Sequence, residues 1–190
     1  MRAVFKDLLG RLPGTVRLYD IARPERPRTR YNLEQLASHL DSAVADVRQA
    51  SGSPTTGPRL LLFATLHYWI EQAAMVGLAL RGMGNDVSLA YLPYSSWEQE
   101  INEFDLRRQD LYTRRILTPL TGLISITSLL AVKPAPRLPG TLQSAVERAC
   151  DYDVMYSLQV EKVDWQSDLY RLRRRRNMEA GRMALAFLQK

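Results

Sequence analysis

The sequence predicts an α/β fold, in which a parallel sheet of two or three strands is covered by many helices. A short apolar run, Leu60 to Leu66, follows the turn-forming residues SGSPTTGP and is hydrophobic enough for a central strand covered on both faces. Between Trp69 and Leu80 the apolar residues recur at helical spacing. A second apolar run, Val87 to Leu92, alternates as a strand does. Two strands joined through one helix are expected to lie parallel, with a right-handed crossover.

Helical patterns precede the first strand. Residues Met1 to Gly10 predict a short amphipathic helix. The segment IARPERPRTRY, Ile21 to Tyr31, predicts a proline-interrupted basic arm, either a solvated linker or a contact for an anion or a lipid. Asn32 is predicted to cap a longer helix, with Gln35 completing a capping box. His39 lies off the apolar face of that helix, so we expect a surface histidine.

Glycine and proline divide the middle of the chain. Gly82 and Gly84 mark the end of the helix after the first strand, because glycine readily takes the left-handed conformation that closes a helix. Ser96 with Gln99 predicts another capping box and the start of a further helix. That helix is expected to carry the charged residues of EFDLRRQD on its solvent side and to break at Pro119.

The C-terminal part of the chain is mainly helical in pattern. The stretch Leu120 to Val132 fits either a third strand or a buried helix, and periodicity does not decide between them. From Thr141 onward the pattern predicts two helices divided near Lys162 to Ser167. On the last helix, Arg176 either extends to solvent or, with Arg173 to Arg175, forms an anion site. The predicted face of that helix consists of Trp165, Leu169, Leu172, Arg176, Ala180, Met183 and Phe187.

Composition describes a globular, basic chain. With 190 residues, 46% of them hydrophobic, the chain suffices for one domain or slightly more. A net charge of +6 favours phosphates, nucleotides or an anionic membrane surface without choosing among them. The single cysteine, Cys150, builds no disulfide framework or cysteine-based metal site, which fits a reducing compartment. The longest uncharged stretch, Ile116 to Val132, has 17 residues, so we expect no transmembrane helix.

The junction between the first strand and its helix carries the candidate chemistry. The sequence contains no glycine-rich dinucleotide motif, phosphate loop, GxSxG elbow or HExxH helix. His67 follows the strand, at the sheet edge where ligands collect in open α/β folds, and Glu71 lies one helical turn further. An imidazole titrates near neutral pH and can act as a general base that Glu71 orients. Alternatively, His67 caps the helix or forms a hydrogen bond in the core.

The stretch Arg59 to Tyr94 resembles the opening unit of GT-B glycosyltransferases of the bacterial capsular-polysaccharide type. The similarity lies in the strand LLLFAT, the histidine just after it and the segment AMVGLALRGMGNDVSLAYLP. Asn85 replaces the histidine usual after the glycine, no glycine precedes His67, and nearly 60 residues come before the strand. The positions that match the family pattern are Leu78, Ala79, Leu80, Arg81, Gly84 and Val87.

The resemblance implies a partial Rossmann-like sheet, a fragment of a GT-B fold. Residues 1–58 would be an N-terminal helical extension with a basic linker. Residues 59–190 would be a Rossmann-like domain, incomplete at its C-terminus. A missing C-terminal domain would bind most of the nucleotide-sugar donor, which is a substrate, and the resemblance implies no cofactor and no bound metal. Whether the chain is an enzyme therefore depends on a longer polypeptide.

The resemblance also implies roles for individual residues. His67 would be the catalytic base and Glu71 its partner, acting on a hydroxyl of a sugar or lipid-linked acceptor. The expected setting is the bacterial cytoplasm, with a peripheral contact at the inner membrane face where polysaccharides are assembled. The residues expected to bind substrate are Tyr68, Trp69 and Tyr94, which would offer aromatic surface to a sugar ring, and Arg176, which would approach a phosphate.

A second interpretation is a non-catalytic α/β interaction or regulatory domain that binds an acidic protein partner or an anionic membrane surface. It predicts that His67 and Glu71 can be replaced by alanine without loss of function. Binding of nucleic acid through the basic run RLRRRR is not expected, because no recognised nucleic-acid fold accompanies these charges.

Overall fold

A computed structural model describes residues 2–12, 14–23, 30–50, 57–96, 98–133 and 138–189. The chain divides into two compact units, one of Met1–Ser95 with Ile101–Ser128 and one of Ser96–Glu100 with Leu129–Lys190. The boundary after residue 58 that the sequence suggested stays a prediction. The helices before it belong to the same compact unit as the sheet.

The described residues form seven α-helices and three β-strands. The strands are β1 (Arg59–Leu66), β2 (Asp86–Tyr94) and β3 (Ser125–Ser128). The helices are α1 (Arg2–Arg11), α2 (Thr15–Ala22), α3 (Glu34–Ala50), α4 (His67–Gly82), α5 (Glu103–Leu117), α6 (Gly140–Leu158) and α7 (Asp168–Leu188).

The sheet is parallel throughout, in the order β1-β2-β3, which confirms the predicted α/β fold. The prediction that β1 is the central strand is wrong, since β2 lies between the other two. On β1, Leu61 is 41% exposed and Phe63 is 47% exposed. An apolar run shows that a strand is hydrophobic but not whether another element covers it. The run alone therefore predicted the wrong position for β1 in the sheet.

Helix α4 packs closely on the sheet, with α3 against it. A Cβ atom on Gly77 would lie 3.1 Å from Ile124 Cδ1 and 3.2 Å from Leu62 Cδ1, so the absent side chain permits this approach. Gly84 has a φ of 88°, which confirms one of the two glycines predicted to be left-handed, whereas Gly82 is the last residue of α4 and has no positive φ. The core of this unit includes Tyr31, Leu33, Leu40, Ile70, Leu78, Val87, Leu89, Tyr91, Leu117 and Leu120.

The start of α3 agrees with its predicted cap in part. Asn32 Oδ1 accepts a hydrogen bond of 2.9 Å from the Glu34 backbone N–H. Asn32 Nδ2 in turn donates to the Glu34 carboxylate at 3.4 Å. The Glu34 carboxylate thus contacts the side chain of Asn32, whereas the capping box predicted a contact between Gln35 and the Asn32 backbone N–H.

The predicted start of α5 is wrong. The helix begins at Glu103, and Asn102 caps it by accepting a 2.9 Å hydrogen bond from the Asp105 N–H. Ser96 Oγ instead accepts from the Glu98 N–H at 3.1 Å, in a turn before the helix. The sequence thus offers two possible caps close together, Ser96 and Asn102, and only the packing of the helix decides which of them is used.

The stretch that periodicity left open contains the third strand. Helix α5 ends at Leu117, and Pro119 lies in a 3₁₀ turn, Thr118–Leu120, so the predicted break is confirmed. Strand β3 follows, and a second 3₁₀ turn, Leu129–Ala131, comes after it.

The second unit contains the two predicted C-terminal helices, α6 and α7. The face predicted for the last helix is wrong in part. Trp165 precedes α7 and is 57% exposed, and Leu169 is 37% exposed. The buried positions of α7 are instead Tyr170, Arg173, Arg176, Met178, Ala180 and Ala186.

The remaining predictions concern the N-terminal helix, His39 and the basic arm. The short N-terminal helix is present as α1, and His39 is exposed, as predicted. Most of the predicted basic arm, residues 24–29, lies outside the described residues.

Candidate functional site

Four of the predicted site residues lie on the first turns of α4, directly beyond the carboxyl end of β1. The chain leaves the strand through Leu66, which is extended and provides no side-chain cap for the helix. His67 is the first helical residue, and Glu71 follows one turn later. Leu66 pairs with Tyr94 at the end of β2, so the carboxyl ends of both strands lie beside this turn.

The surroundings of His67 favour the neutral form of its imidazole. The side chain is partly buried, and burial lowers its pKa from the usual 6.5, while the Glu71 carboxylate acts in the opposite direction. Its Nδ1 atom is buried and has no hydrogen-bond partner among the described residues. Buried polar atoms are nearly always hydrogen-bonded, so each exception requires an explanation, of which a catalytic role is one. Neither a helix cap nor a core hydrogen bond therefore accounts for Nδ1.

Aromatic rings surround His67 on two sides. The ring centroids of Tyr31 and His67 are 5.7 Å apart, and those of His67 and Tyr68 are 5.3 Å apart in an edge-to-face arrangement. Tyr68 and Trp69 are each 41% exposed, so both present ring surface to solvent. Tyr94 is only 4% exposed, so its ring belongs to the interior of the sheet edge.

Glu71 faces a groove between α3 and α4. Its carboxylate lies 3.4 Å from the Leu36 backbone nitrogen, a long hydrogen bond that links the two helices. The groove has a volume of about 480 Å³ and contains polar side chains that the sequence reasoning did not assign to a site. The spacing of the lining residues could have indicated this groove, because they lie at i, i+3, i+4 and i+7 on α4 and at i, i+1 and i+4 on α3. The lining residues are Gln35, Leu36, His39, Tyr68, Glu71, Gln72 and Met75.

Arg176 belongs to the second unit and contacts backbone oxygens. It is 4% exposed, and its two terminal nitrogens donate to the carbonyl oxygens of Ser96 and Gln99. These bonds attach the short segment before α5 to helix α7. The hydrogen-bond partners of the Arg176 guanidinium thus lie within its own compact unit, and their role is structural.

Buried polar residues on α5 contradict in part the prediction that the charged residues of EFDLRRQD face solvent, although Arg107 is exposed as predicted. Arg108, Gln109 and Asp110 are all buried, at 7%, 0% and 7% exposure. Asp110 Oδ1 accepts a 2.9 Å hydrogen bond from the Tyr91 hydroxyl, and burial, followed by this carboxylate, raises the pKa of Tyr91. Polar residues do not report their own burial in a sequence, because burial depends on partners that come from other elements.

The described part of the chain adds two further observations. It contains no helix long and apolar enough to cross a membrane. Within the same ranges, no three histidine, cysteine, aspartate or glutamate side chains are grouped so that they could hold a metal ion.

Fold and site together define an α/β protein with a partial Rossmann-like parallel sheet and a histidine at the carboxyl end of its first strand. Comparisons with models of protein families, with curated proteins and with solved structures found no match.

Proposed function

We propose that this chain is the N-terminal, acceptor-side part of a glycosyltransferase that moves a sugar from a nucleotide-sugar donor to an acceptor hydroxyl in bacterial polysaccharide synthesis. The observation that carries the proposal is the position of His67, on the first turn of α4 beyond the carboxyl end of β1, with Nδ1 buried and unpaired among the described residues. Ligands of open parallel sheets bind at this edge.

The proposed role of His67 is to accept a proton. The acceptor hydroxyl oxygen attacks the anomeric carbon of the donor sugar, the bond to the nucleoside diphosphate breaks, and the imidazole takes the hydroxyl proton. Burial lowers the pKa of His67, so the imidazole is in its neutral, basic form at neutral pH. The Glu71 carboxylate opposes that shift and thereby favours the imidazolium that the reaction forms.

The proposed acceptor surface lies beside this base. Tyr68 and Trp69 offer exposed rings for a sugar, and the groove between α3 and α4 adds the amide side chains of Gln35 and Gln72. The donor would be bound mainly by a further domain. An approach of Arg176 to a donor phosphate would require exchange of its carbonyl partners, so the proposal does not depend on that residue.

The test is a transfer assay on the longest natural polypeptide that contains this chain. The enzyme is incubated with UDP-linked and GDP-linked sugars and a lipid extract as acceptor, and the release of nucleoside diphosphate is measured. We expect His67→Ala to lower the rate by about 10²–10⁴-fold, because a positioned general base contributes about that much. Glu71→Gln should lower it less.

Asp86→Asn is the matched control. It removes a half-exposed carboxylate that pairs with Arg59, at the amino end of β2 in the same compact unit. Its transfer rate should equal that of the wild type, because an exposed ion pair contributes little to stability. A His67→Ala variant with the wild-type rate would refute the proposed base.

A second candidate function is the interaction domain, and the exposed edge of the sheet favours it. In the described sheet β1 is an edge strand, and its Leu61 and Phe63 are both more than one-third exposed. Exposed apolar side chains on an edge strand are typical of surfaces that pair with another chain. This function requires neither His67 nor Glu71, so the same two variants separate it from the transferase.

A further inference from the structure

Helix α1 exposes most of its described apolar side chains to solvent. Four apolar side chains, which we call the α1 stripe, are Val4, Phe5, Leu8 and Leu12, with exposures of 73%, 61%, 60% and 49%. At about 100° per residue the three helical positions Val4, Phe5 and Leu8 fall within an arc of about 100° on one side of the helix, and Leu12 directly follows the last helical residue. Amphipathic helices of globular proteins normally place such an arc against the core.

The opposite side of α1 is the side that docks. Gly10 is buried, and a Cβ atom there would lie 2.6 Å from the Glu103 carbonyl carbon, so the helix backbone approaches the start of α5 closely. Asp7 accepts a 2.7 Å hydrogen bond from the Glu103 N–H, and Lys6 pairs with Asp105 at 2.8 Å. These contacts use polar groups and a glycine, so the outward orientation of the α1 stripe is held by specific bonds.

Positive charge accompanies the α1 stripe. The first 30 residues contain eight basic and three acidic residues, and so carry +5 of the chain's net +6. The two acidic residues of α1 and α2 face inward, since Asp7 accepts from α5 and Asp20, 18% exposed, pairs with Arg115 at 3.5 Å. Among the described residues of this region the exposed charges are basic, and they include Arg11, Arg17 and Arg23.

Helix α2 adds to the same character. Leu18 is 69% exposed and Ile21 is 70% exposed, while Val16 on the other side of the helix is buried. Two consecutive short helices therefore each present apolar side chains to solvent, and each carries exposed arginine.

We propose that the α1 stripe, together with the exposed arginines of α1 and α2, binds an anionic membrane surface. Helices with an apolar side and basic flanks lie in the interface of bilayers with anionic lipids, and each basic residue adds electrostatic attraction. A stable protein interface needs about 800 Å² from each partner with a matching shape, which four side chains on a 10-residue helix do not supply. A bilayer requires no matching shape. The inference does not rest on sugar transfer.

The test is sedimentation of the full chain with lipid vesicles. The vesicles are phosphatidylcholine alone, or phosphatidylcholine with about 30% phosphatidylglycerol. We expect binding to the anionic vesicles that weakens with salt, and weak binding to phosphatidylcholine. Phe5→Gln with Leu8→Gln should weaken binding by about tenfold or more, because the apolar area that enters the lipid is lost. Arg11→Gln with Arg17→Gln should abolish the preference for anionic lipid.

The matched control is Tyr152→Gln with Tyr156→Gln on α6, where the two side chains are 69% and 84% exposed. This variant should bind as the wild type does. The inference is overturned if the wild-type chain does not sediment with anionic vesicles, or if the Phe5, Leu8 variant binds as tightly as the control. It is also overturned if light scattering shows a dimer that the Phe5, Leu8 variant dissociates while vesicle binding is absent, because the α1 stripe would then contact a second copy.

Discussion

The surroundings of His67 differ from those of an ordinary surface histidine. The centroid of its ring is 5.7 Å from that of Tyr31 and 5.3 Å from that of Tyr68, and burial disfavours its charged form. Glu71 offsets part of that effect from one turn away. An imidazole that is partly shielded from water and lies near one carboxylate suits proton transfer at neutral pH.

The lowered pKa of His67 predicts how its titration and the stability of the fold respond to pH. By NMR, His67 should titrate below 6.5, and Glu71→Gln should lower its pKa further because the one opposing influence is removed. Above pH 6.5 the folded and unfolded states both hold the imidazole neutral, so its contribution to stability is fully present. As pH falls from 6.5 through the folded-state pKa, the unfolded state binds the proton first and stability is lost.

A His67→Gln variant provides the control for that stability effect. Its urea-unfolding free energy should fall less than that of the wild type over the same acid range, because residue 67 no longer titrates. A His67 resonance that titrates above 6.5 would show that Glu71, rather than burial, dominates the site.

At the scale of elements, helix α1 is held by an unusual contact with the start of α5. Gly10 allows two backbones to meet where any side chain would overlap the Glu103 carbonyl carbon and Cβ, at 2.6 and 2.9 Å. The neighbouring bonds from Asp7 and Lys6 fix the rotation of the helix. The exposure of the α1 stripe follows from that rotation.

Gly10→Ala should therefore destabilise the fold. The new methyl group meets backbone atoms that cannot rotate away, and overpacking of this kind costs about 1–3 kcal/mol in the free energy of unfolding. Urea denaturation followed by circular dichroism measures the change. Gly140→Ala is the control, since a Cβ atom there has open space, and it should change stability by less than about 0.5 kcal/mol. Equal effects of the two substitutions would contradict the proposed contact.

At the scale of the whole molecule, two compact units share one chain that passes between them more than once. The segment Ser96–Glu100 belongs to the second unit, although the residues on either side of it belong to the first. Within the second unit, Arg176 joins this segment to α7 through the carbonyl oxygens of Ser96 and Gln99. Arg175 adds an exposed ion pair with Glu100.

Arg176→Met should destabilise the second unit by about 2–4 kcal/mol, because carbonyl oxygens lose a charged hydrogen-bond donor that is itself buried. Scanning calorimetry of the full chain measures the loss. Arg171→Met removes an exposed arginine from the same helix and should shift stability by less than about 0.5 kcal/mol. If both variants unfold at the same temperature, Arg176 does not hold the segment.

Short-range patterns were sufficient for most elements. The apolar runs of β1 and β2, the helical spacing between them, the left-handed Gly84 and the break at Pro119 all depend on neighbours within a few residues, and all are found where they were predicted. His67 and Glu71 were likewise placed together on one helix by their spacing alone. The catalytic use of these two residues stays a prediction.

Only the tertiary structure decided which surfaces are covered. It makes β2 rather than β1 the central strand, buries Arg108 and Asp110, caps α5 with Asn102 instead of Ser96, and turns the α1 stripe to solvent. In each case the deciding partner lies far away in sequence, as Tyr91 does for Asp110. Local periodicity reports which side chains favour burial, whereas burial itself depends on what packs against them.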